Sequence, residues 1–121
     1  MEPLYLEGYA KRLETAIVDS SYGDANGMRI QRDAALKSVA QFLGEVKAYG
    51  KKIIFIGNGG SASISSHMAE DFSKMAGIRA MCFSDAPFLT CLANDYSYAD
   101  VFEKALEIHA DQGDLLFAIS S

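Results

Sequence analysis

The stretch Lys51-Lys52-Ile53-Ile54-Phe55-Ile56-Gly57-Asn58-Gly59-Gly60-Ser61 decides the fold. Four consecutive apolar residues follow two lysines and run into a glycine-rich turn. Apolar and polar residues do not alternate here, so both faces of the segment are expected to be buried, as in a central strand of a parallel sheet. Beyond the turn a helix is expected from about residue 62 to residue 75. Ile64, Met68, Phe72 and Met75 form its core face, and Gly77 ends it. A second strand is expected over residues 79–83. Ser84-Asp85-Ala86-Pro87 has the residues to cap a short helix over 88–93. A break at residues 94–97 precedes a helix over 99–110, which Asp111-Gln112-Gly113-Asp114 stops, and residues 115–119 read as a third apolar strand. Strands alternating with helices imply right-handed crossovers and an α/β fold with a parallel, three-layer sheet.

Upstream of the strand the pattern is helical. Tyr5, Tyr9, Leu13, Ala16 and Ile17 recur at spacings of three and four, and Leu36, Val39, Ala40, Leu43 and Val46 do the same. The run Ser20-Ser21-Tyr22-Gly23-Asp24-Ala25-Asn26-Gly27 is turn chemistry between the two helices, the second of which is expected over residues 29–49. Gly50 stands where a glycine cap ends a helix. Residues 1–50 therefore read as an N-terminal helical segment suited to oligomerisation, and residues 51–121 as the front part of an α/β domain.

Composition narrows the function. Half of the 121 residues are apolar and 22% are charged, the balance of a globular chain. Eleven Lys and Arg against 16 Asp and Glu give a formal net charge of −5, which argues against nucleic-acid or anionic-membrane partners. No apolar run approaches the roughly 18 residues of a membrane-spanning helix. Met1-Glu2-Pro3 lacks the basic and apolar regions of a signal peptide. Cys82 and Cys91 form no C-x-x-C pair, so two packed thiols in a reducing, cytoplasmic setting are expected.

In open parallel sheets ligands sit beyond the carboxyl ends of the strands. The segments that fall there are Gly57 to Ser61, Ser84-Asp85 and Ser120-Ser121. Glycines in the first allow backbone N–H groups to approach an anion at the start of a helix, and equally serve a tight strand-to-helix turn. Serines in both outer loops suit a phosphate or a polyol. Neither a Walker A loop nor a G-x-G-x-x-G fingerprint is present, so no nucleotide cofactor is expected. His67 and Asp71, four residues apart, share one helix face. They read either as a metal-binding or acid–base pair or as a solvated hydrogen-bonded pair. Glu70 is rotated away from them by about 100° and reads as solvated. Asn94 and Asp95 read as ligand contacts or as turn and capping residues. His109 reads as a surface residue near a helix C-terminus, and Tyr96 and Tyr98 as packing over the adjoining loop.

Four segments in order carry a resemblance: Ile56-Gly57-Asn58-Gly59-Gly60-Ser61-Ala62-Ser63, His67-Met68-Ala69, Cys91-Leu92-Ala93-Asn94-Asp95-Tyr96, and Gly113-Asp114-Leu115-Leu116-Phe117-Ala118-Ile119-Ser120-Ser121. The chain from Lys52 onward resembles the sugar isomerase (SIS) domain family, on its phosphoheptose isomerase branch. The resemblance implies a phosphosugar aldose–ketose isomerase acting through an enediolate on a heptose phosphate. It implies sugar-phosphate contacts at Asn58, Gly59, Gly60, Ser61, Asn94, Asp95, Ser120 and Ser121, with catalysis and a zinc ion at His67 and Asp71. The family's five-stranded sheet and its helix-joined homotetramer further imply two more strands beyond Ser121, along with a later Gln and His of the site. On its own the chain is expected to be inactive and to self-associate over its uncovered sheet flank and apolar helix stripes. One position departs from the family. Its Glu four residues after the histidine is Asp71 here, whose carboxylate reaches about 1.5 Å less. That shortening leaves open a non-catalytic phosphosugar-binding module with a regulatory or protein-interaction role.

Overall fold

The computed structural model describes residues 3–121. In chain order the elements are α1 (Pro3–Val18), β1 (Tyr22–Gly23), β2 (Arg29–Ile30), α2 (Arg32–Ala48), β3 (Ile53–Gly57), α3 (Gly60–Lys74), β4 (Ala80–Cys82), α4 (Ala86–Asp95), a 3-10 turn (Tyr98–Asp100), α5 (Val101–His109) and β5 (Leu115–Ile119). They divide into two compact units, one up to Ala40 and one spanning Gln41–Ser121, so the division falls inside α2.

In the first unit the turn-rich run is a small hairpin. Tyr22 pairs with Ile30 and Gly23 with Arg29, antiparallel. The Asp24 carboxylate accepts from the N–H groups of Asn26 and Met28, both at 2.9 Å, and folds the connection. Apolar periodicity places residues 29–31 in the second helix. They belong instead to β2 and its exit, and α2 starts at Arg32 with Asp33 in its first turn, where a carboxylate suits the helix dipole. The apolar stripe of α1, at Tyr5, Tyr9, Leu13 and Ile17, is exposed.

The second unit holds the sheet, ordered β4-β3-β5 and parallel throughout. Ile53, Ile54 and Phe55 pair with Ala80, Met81 and Cys82 on one side, and Ile53 to Gly57 pair with Leu115 to Ile119 on the other. The apolar run is therefore the central strand, and Ile53, Ile54 and Phe55 are buried. Ile53 and Phe55 pack on one face with Val46 of α2 and Met68, Ala69 and Phe72 of α3. Ile54 packs on the other with Leu92 of α4 and Val101 and Ala105 of α5. Phe55 stacks on Phe117 of β5 at 5.2 Å between ring centroids. This is the expected three-layer α/β arrangement.

The core face of α3 is rotated from the expected one. Ser65 and Ala69 are buried, whereas Ile64 and Met75 are 52% and 75% exposed. Ser65 tolerates burial because its hydroxyl donates to the Ser61 carbonyl at 2.8 Å. Cys82 packs against the core as expected, but Cys91 does not. It lies exposed, its thiol donating to Asp95 Oδ2 at 3.5 Å. That hydrogen bond and the Asp95 charge push the Cys91 thiol up. His109, read as a plain surface residue, lays its ring 5.5 Å from Phe83 and 5.6 Å from Phe88.

Candidate functional site

The carboxyl end of β3 runs into α3 through Gly57, Asn58 and Gly59. A side chain at Gly57 would put its Cβ 2.7 Å from Ser61 Cβ and 2.8 Å from the Ser61 carbonyl carbon, so the first turn of α3 lies directly on this glycine. Gly59 turns the chain with a positive φ of 57°, which a side chain would strain. Both readings of the turn thus apply: it is a tight connection, and it opens a helix at a strand end. The N–H groups of Ser61 and Ala62 donate back to the carbonyls of Asn58 and Gly59, both at 3.0 Å.

A cavity of about 340 Å³ lies at this end of the sheet. Gly57, Asn58 and Ser61 wall one side, Ser120 and Ser121 another, and Ile56, Phe102, Ala118 and Ile119 supply an apolar lining. Register explains the convergence. Gly57 pairs with Ile119, so the residues after each strand leave the sheet side by side. The wall offers an amide and three hydroxyls with no Lys, Arg, Asp or Glu. Such neutral donors and acceptors suit an oxygen-rich ligand.

The other candidates stand apart. Gly59 and Gly60 shape the turn but do not line the cavity. His67 lines a second, shallower depression of about 440 Å³ with Ala62, Ser63, Ser66, Glu70 and Ser84. Asp71 lines neither; its Oδ2 is 3.4 Å from His67 Nε2 across one helical turn, and the two side chains are 43% and 71% exposed. At a rise of about 1.5 Å per residue, His67 and Asp71 are roughly 9 Å and 15 Å along the helix from Ser61. Asn94 and Asp95 are exposed at the end of α4, where Asn94 Nδ2 donates to Asp95 Oδ1 at 3.1 Å. Asp85 is occupied as the α4 cap, accepting from the Phe88 N–H at 3.0 Å.

Zinc needs more donors than the helix pair provides. Structural and catalytic zinc sites take three or four protein ligands. Among the described residues no group of three or more His, Cys, Asp or Glu stands together to hold a metal ion. His67 and Asp71 by themselves do not fit a resident zinc.

Sequence reasoning missed one lining residue and the partner of a tyrosine hydroxyl. Phe102 reads only as one more apolar residue of a helix, yet it lines the cavity. Glu70 is solvated as expected, its side chain 64% exposed, and it borders the depression beside His67. Tyr98 does lie over the adjoining loop, and its hydroxyl donates to Asn58 Oδ1 at 2.9 Å. A tyrosine near a strand-end loop is the only signal for the last.

Comparison with known proteins supplies a further observation. No protein-family model matches the chain. Curated relatives named phosphoheptose isomerase do. That of Fusobacterium nucleatum is 34% identical over 90 residues, covering 70% of this chain and 46% of the relative. That of Cytophaga hutchinsonii is 42% identical over 77 residues, covering 60% and 40%. That of Glaesserella parasuis is 30% identical over 110 residues, covering 87% and 55%. The solved structure of phosphoheptose isomerase GmhA from Neisseria gonorrhoeae superposes with a TM-score of 0.66 at 31% identity, over 70% of this chain and 46% of that one. The chain spans about half the length of the relatives it matches.

Proposed function

We propose, from its likeness to the curated phosphoheptose isomerases and to the solved GmhA structure, that the chain belongs to the sugar isomerase domain family on its phosphoheptose isomerase branch and works in the aldose–ketose isomerisation of sedoheptulose 7-phosphate. The observation that carries the reading is the cavity where Asn58 and Ser61 meet Ser120 and Ser121. Its neutral hydrogen-bonding wall suits the phosphate or hydroxyl groups of a sugar phosphate. No described helix is long and apolar enough to cross a membrane. The exposed stripe of α1 suits a homo-oligomer joined through helices, a tetramer in our reading, and two free thiols suit the cytoplasm.

In the proposed reaction Asp71 takes a proton from the carbon beside the ketose carbonyl. The electron pair of that C–H bond forms the enediolate double bond as the carbonyl oxygen takes the negative charge. The hydroxyl proton on the deprotonated carbon passes to that oxygen, and as the hydroxyl oxygen becomes the aldehyde carbonyl a proton returns to the neighbouring carbon, which completes the aldose with no net oxidation. His67, 3.4 Å from the carboxylate, orients it. Asn58, Ser61, Ser120 and Ser121 hold the sugar phosphate by hydrogen bonds.

One observation favours a second reading, a phosphosugar-binding module without turnover. Asp71 is absent from the cavity wall and is shorter than the glutamate of the family. The variant Asp71→Asn, made in the full-length protein, separates the two. For an isomerase, sedoheptulose 7-phosphate still raises the melting temperature while turnover falls about 100- to 10,000-fold, the usual contribution of a general base. Turnover equal to wild type removes Asp71 as the base. Stabilisation of the full-length wild-type protein by the sugar phosphate, with no conversion, establishes the binding module.

A further inference from the structure

Tyr98 is an exposed aromatic residue with one long-range partner. Its side chain is 67% exposed, yet its hydroxyl reaches a residue 40 positions away, donating to Asn58 Oδ1 at 2.9 Å. The backbone under it is held. Tyr98 opens the 3-10 turn, and Ser97 Oγ donates to Asp100 Oδ2 at 2.6 Å across that turn. Four residues on, in the first turn of α5, Phe102 enters the cavity wall beside Asn58. The corner between α4 and α5 therefore contributes both an apolar wall and a hydroxyl to the mouth of the glycine turn.

The direction of that hydrogen bond has a chemical consequence. A side-chain amide carries an acceptor and a double donor, and a rotation of half a turn exchanges them. With Oδ1 accepting from the tyrosine hydroxyl, the NH2 group of Asn58, a residue of the cavity wall, is the end that has no hydrogen-bond partner among the described residues. The reversed amide would turn an acceptor toward the electronegative oxygens of a phosphate or a sugar. Because the wall has no Lys or Arg, recognition there rests on neutral donors, and the orientation of one amide weighs more than it would beside a cation.

We infer that Tyr98 is a positioning residue that fixes the Asn58 amide with its donors toward the ligand, setting the cavity's preference for phosphate and hydroxyl oxygens. The inference rests on the sugar-phosphate reading above and deepens it. Calorimetric titration of the full chain with sedoheptulose 7-phosphate tests it. Tyr98→Phe keeps the ring and removes the hydroxyl, and it should weaken binding about three- to tenfold, the worth of one hydrogen bond. In an Asn58→Ala background the same change should have no further effect, which a merely structural role for Tyr98 would not produce. Unchanged binding by Tyr98→Phe overturns the inference, as does an equal loss in both backgrounds. The side-chain NH2 resonances of Asn58 give a readout that needs no ligand. They should shift in Tyr98→Phe, and unmoved resonances overturn the contact itself. If the wild-type chain binds no sugar phosphate, the reading of the cavity fails and the ligand assigned to Asn58 fails with it. Binding by wild type with no loss in Tyr98→Phe defeats this inference alone.

Discussion

At the amino end of β3, Lys52 Nζ lies 2.8 Å from Asp111 and 2.5 Å from Asp114, two carboxylates on the approach to β5. At the carboxyl end, five residues later, the same two strands part into a cavity walled by an amide and serine hydroxyls. The first end is closed on itself. Asp114 also accepts from the Lys52 N–H at 3.0 Å and the Asp111 N–H at 2.8 Å, and only 6% of its side chain is exposed. The second end leaves polar groups facing open space. One strand pair thus joins a fastened end that holds the register to an open end able to exchange water for a ligand. Because the fastening is remote from the cavity, stability and binding are separable by mutation.

Asp114→Ala is the largest expected blow to stability. It strips Lys52 of a partner and leaves the Lys52 and Asp111 N–H groups without their acceptor. Breaking a fully buried pair costs about 3–5 kcal/mol, and the exposure of Asp111, which stays to share the lysine, brings the expectation to about 2–3 kcal/mol. Urea unfolding at neutral pH measures it, and sugar-phosphate affinity below the unfolding midpoint should be unchanged. A loss below about 1 kcal/mol would mean that the clamp is ornamental and erase the contrast between the two ends.

The same clamp dictates a pH profile. Burial opposes the charge on Asp114, but hydrogen bonds from Lys52 and from the Asp111 and Lys52 N–H groups outweigh it and hold the carboxyl below its ordinary value of 3.8. Its contribution is present above that value and is lost as pH falls through the lower, folded-state pKa. Hydrogen bonds to Asp111 and Asp114 raise Lys52 above 10.5 against a small opposing effect of burial. That contribution is present below 10.5 and is lost as pH rises through the higher value. Wild-type stability should therefore fall on the acid side more steeply than that of Asp114→Ala.

Gly57→Ala tests the open end. The new Cβ would meet Ser61 Cβ at 2.7 Å and backbone atoms of Ser61 at 2.8 and 2.9 Å. Helix backbone cannot rotate aside as a side-chain tip can, so α3 must shift. Overpacking of this kind costs about 1–3 kcal/mol. Ser61 moves with the helix, so sedoheptulose 7-phosphate binding should be lost as well, unlike in Asp114→Ala. Retained affinity would show that the ligand does not depend on the turn.

These two ends were unequally legible in the sequence. The run Ile53 to Ile56 announced the central strand because burial on both faces removes alternation, and the glycines after it announced a strand-end turn. Lys52 and Asp114 announced nothing: 62 positions separate them, and each sits in an ordinary context, a lysine before a strand and an aspartate in a helix-stopping run. Strand register alone brings them together. The hairpin at Tyr22–Gly23 and Arg29–Ile30 was hidden for another reason. Strands of two residues are too short for a period, so only the turn chemistry between them shows. Of the candidate site, Asn58, Ser61, Ser120 and Ser121 converge because they follow paired strands. His67 and Asp71 were grouped with them through resemblance, while their position along α3 carries them away.

The smallest expected effect concerns the face of α3. Apolar periodicity favours Ile64 as core, yet large side chains at every inward position would hold the helix off the sheet. The positions closest to the strands are the small Ser65 and Ala69, with Met68 and Phe72 filling the flanks. Ile64, 52% exposed, is left over the edge. Ile64→Ala should therefore change stability by no more than about 0.5 kcal/mol, as surface substitutions do. Met68→Ala, which empties space beside Phe55 and Val46, should cost about 2 kcal/mol. Thermal unfolding of the two variants decides between the faces. Equal losses would mean that a partner surface covers Ile64 in solution, and the open end of β3 would then adjoin an interface instead of water.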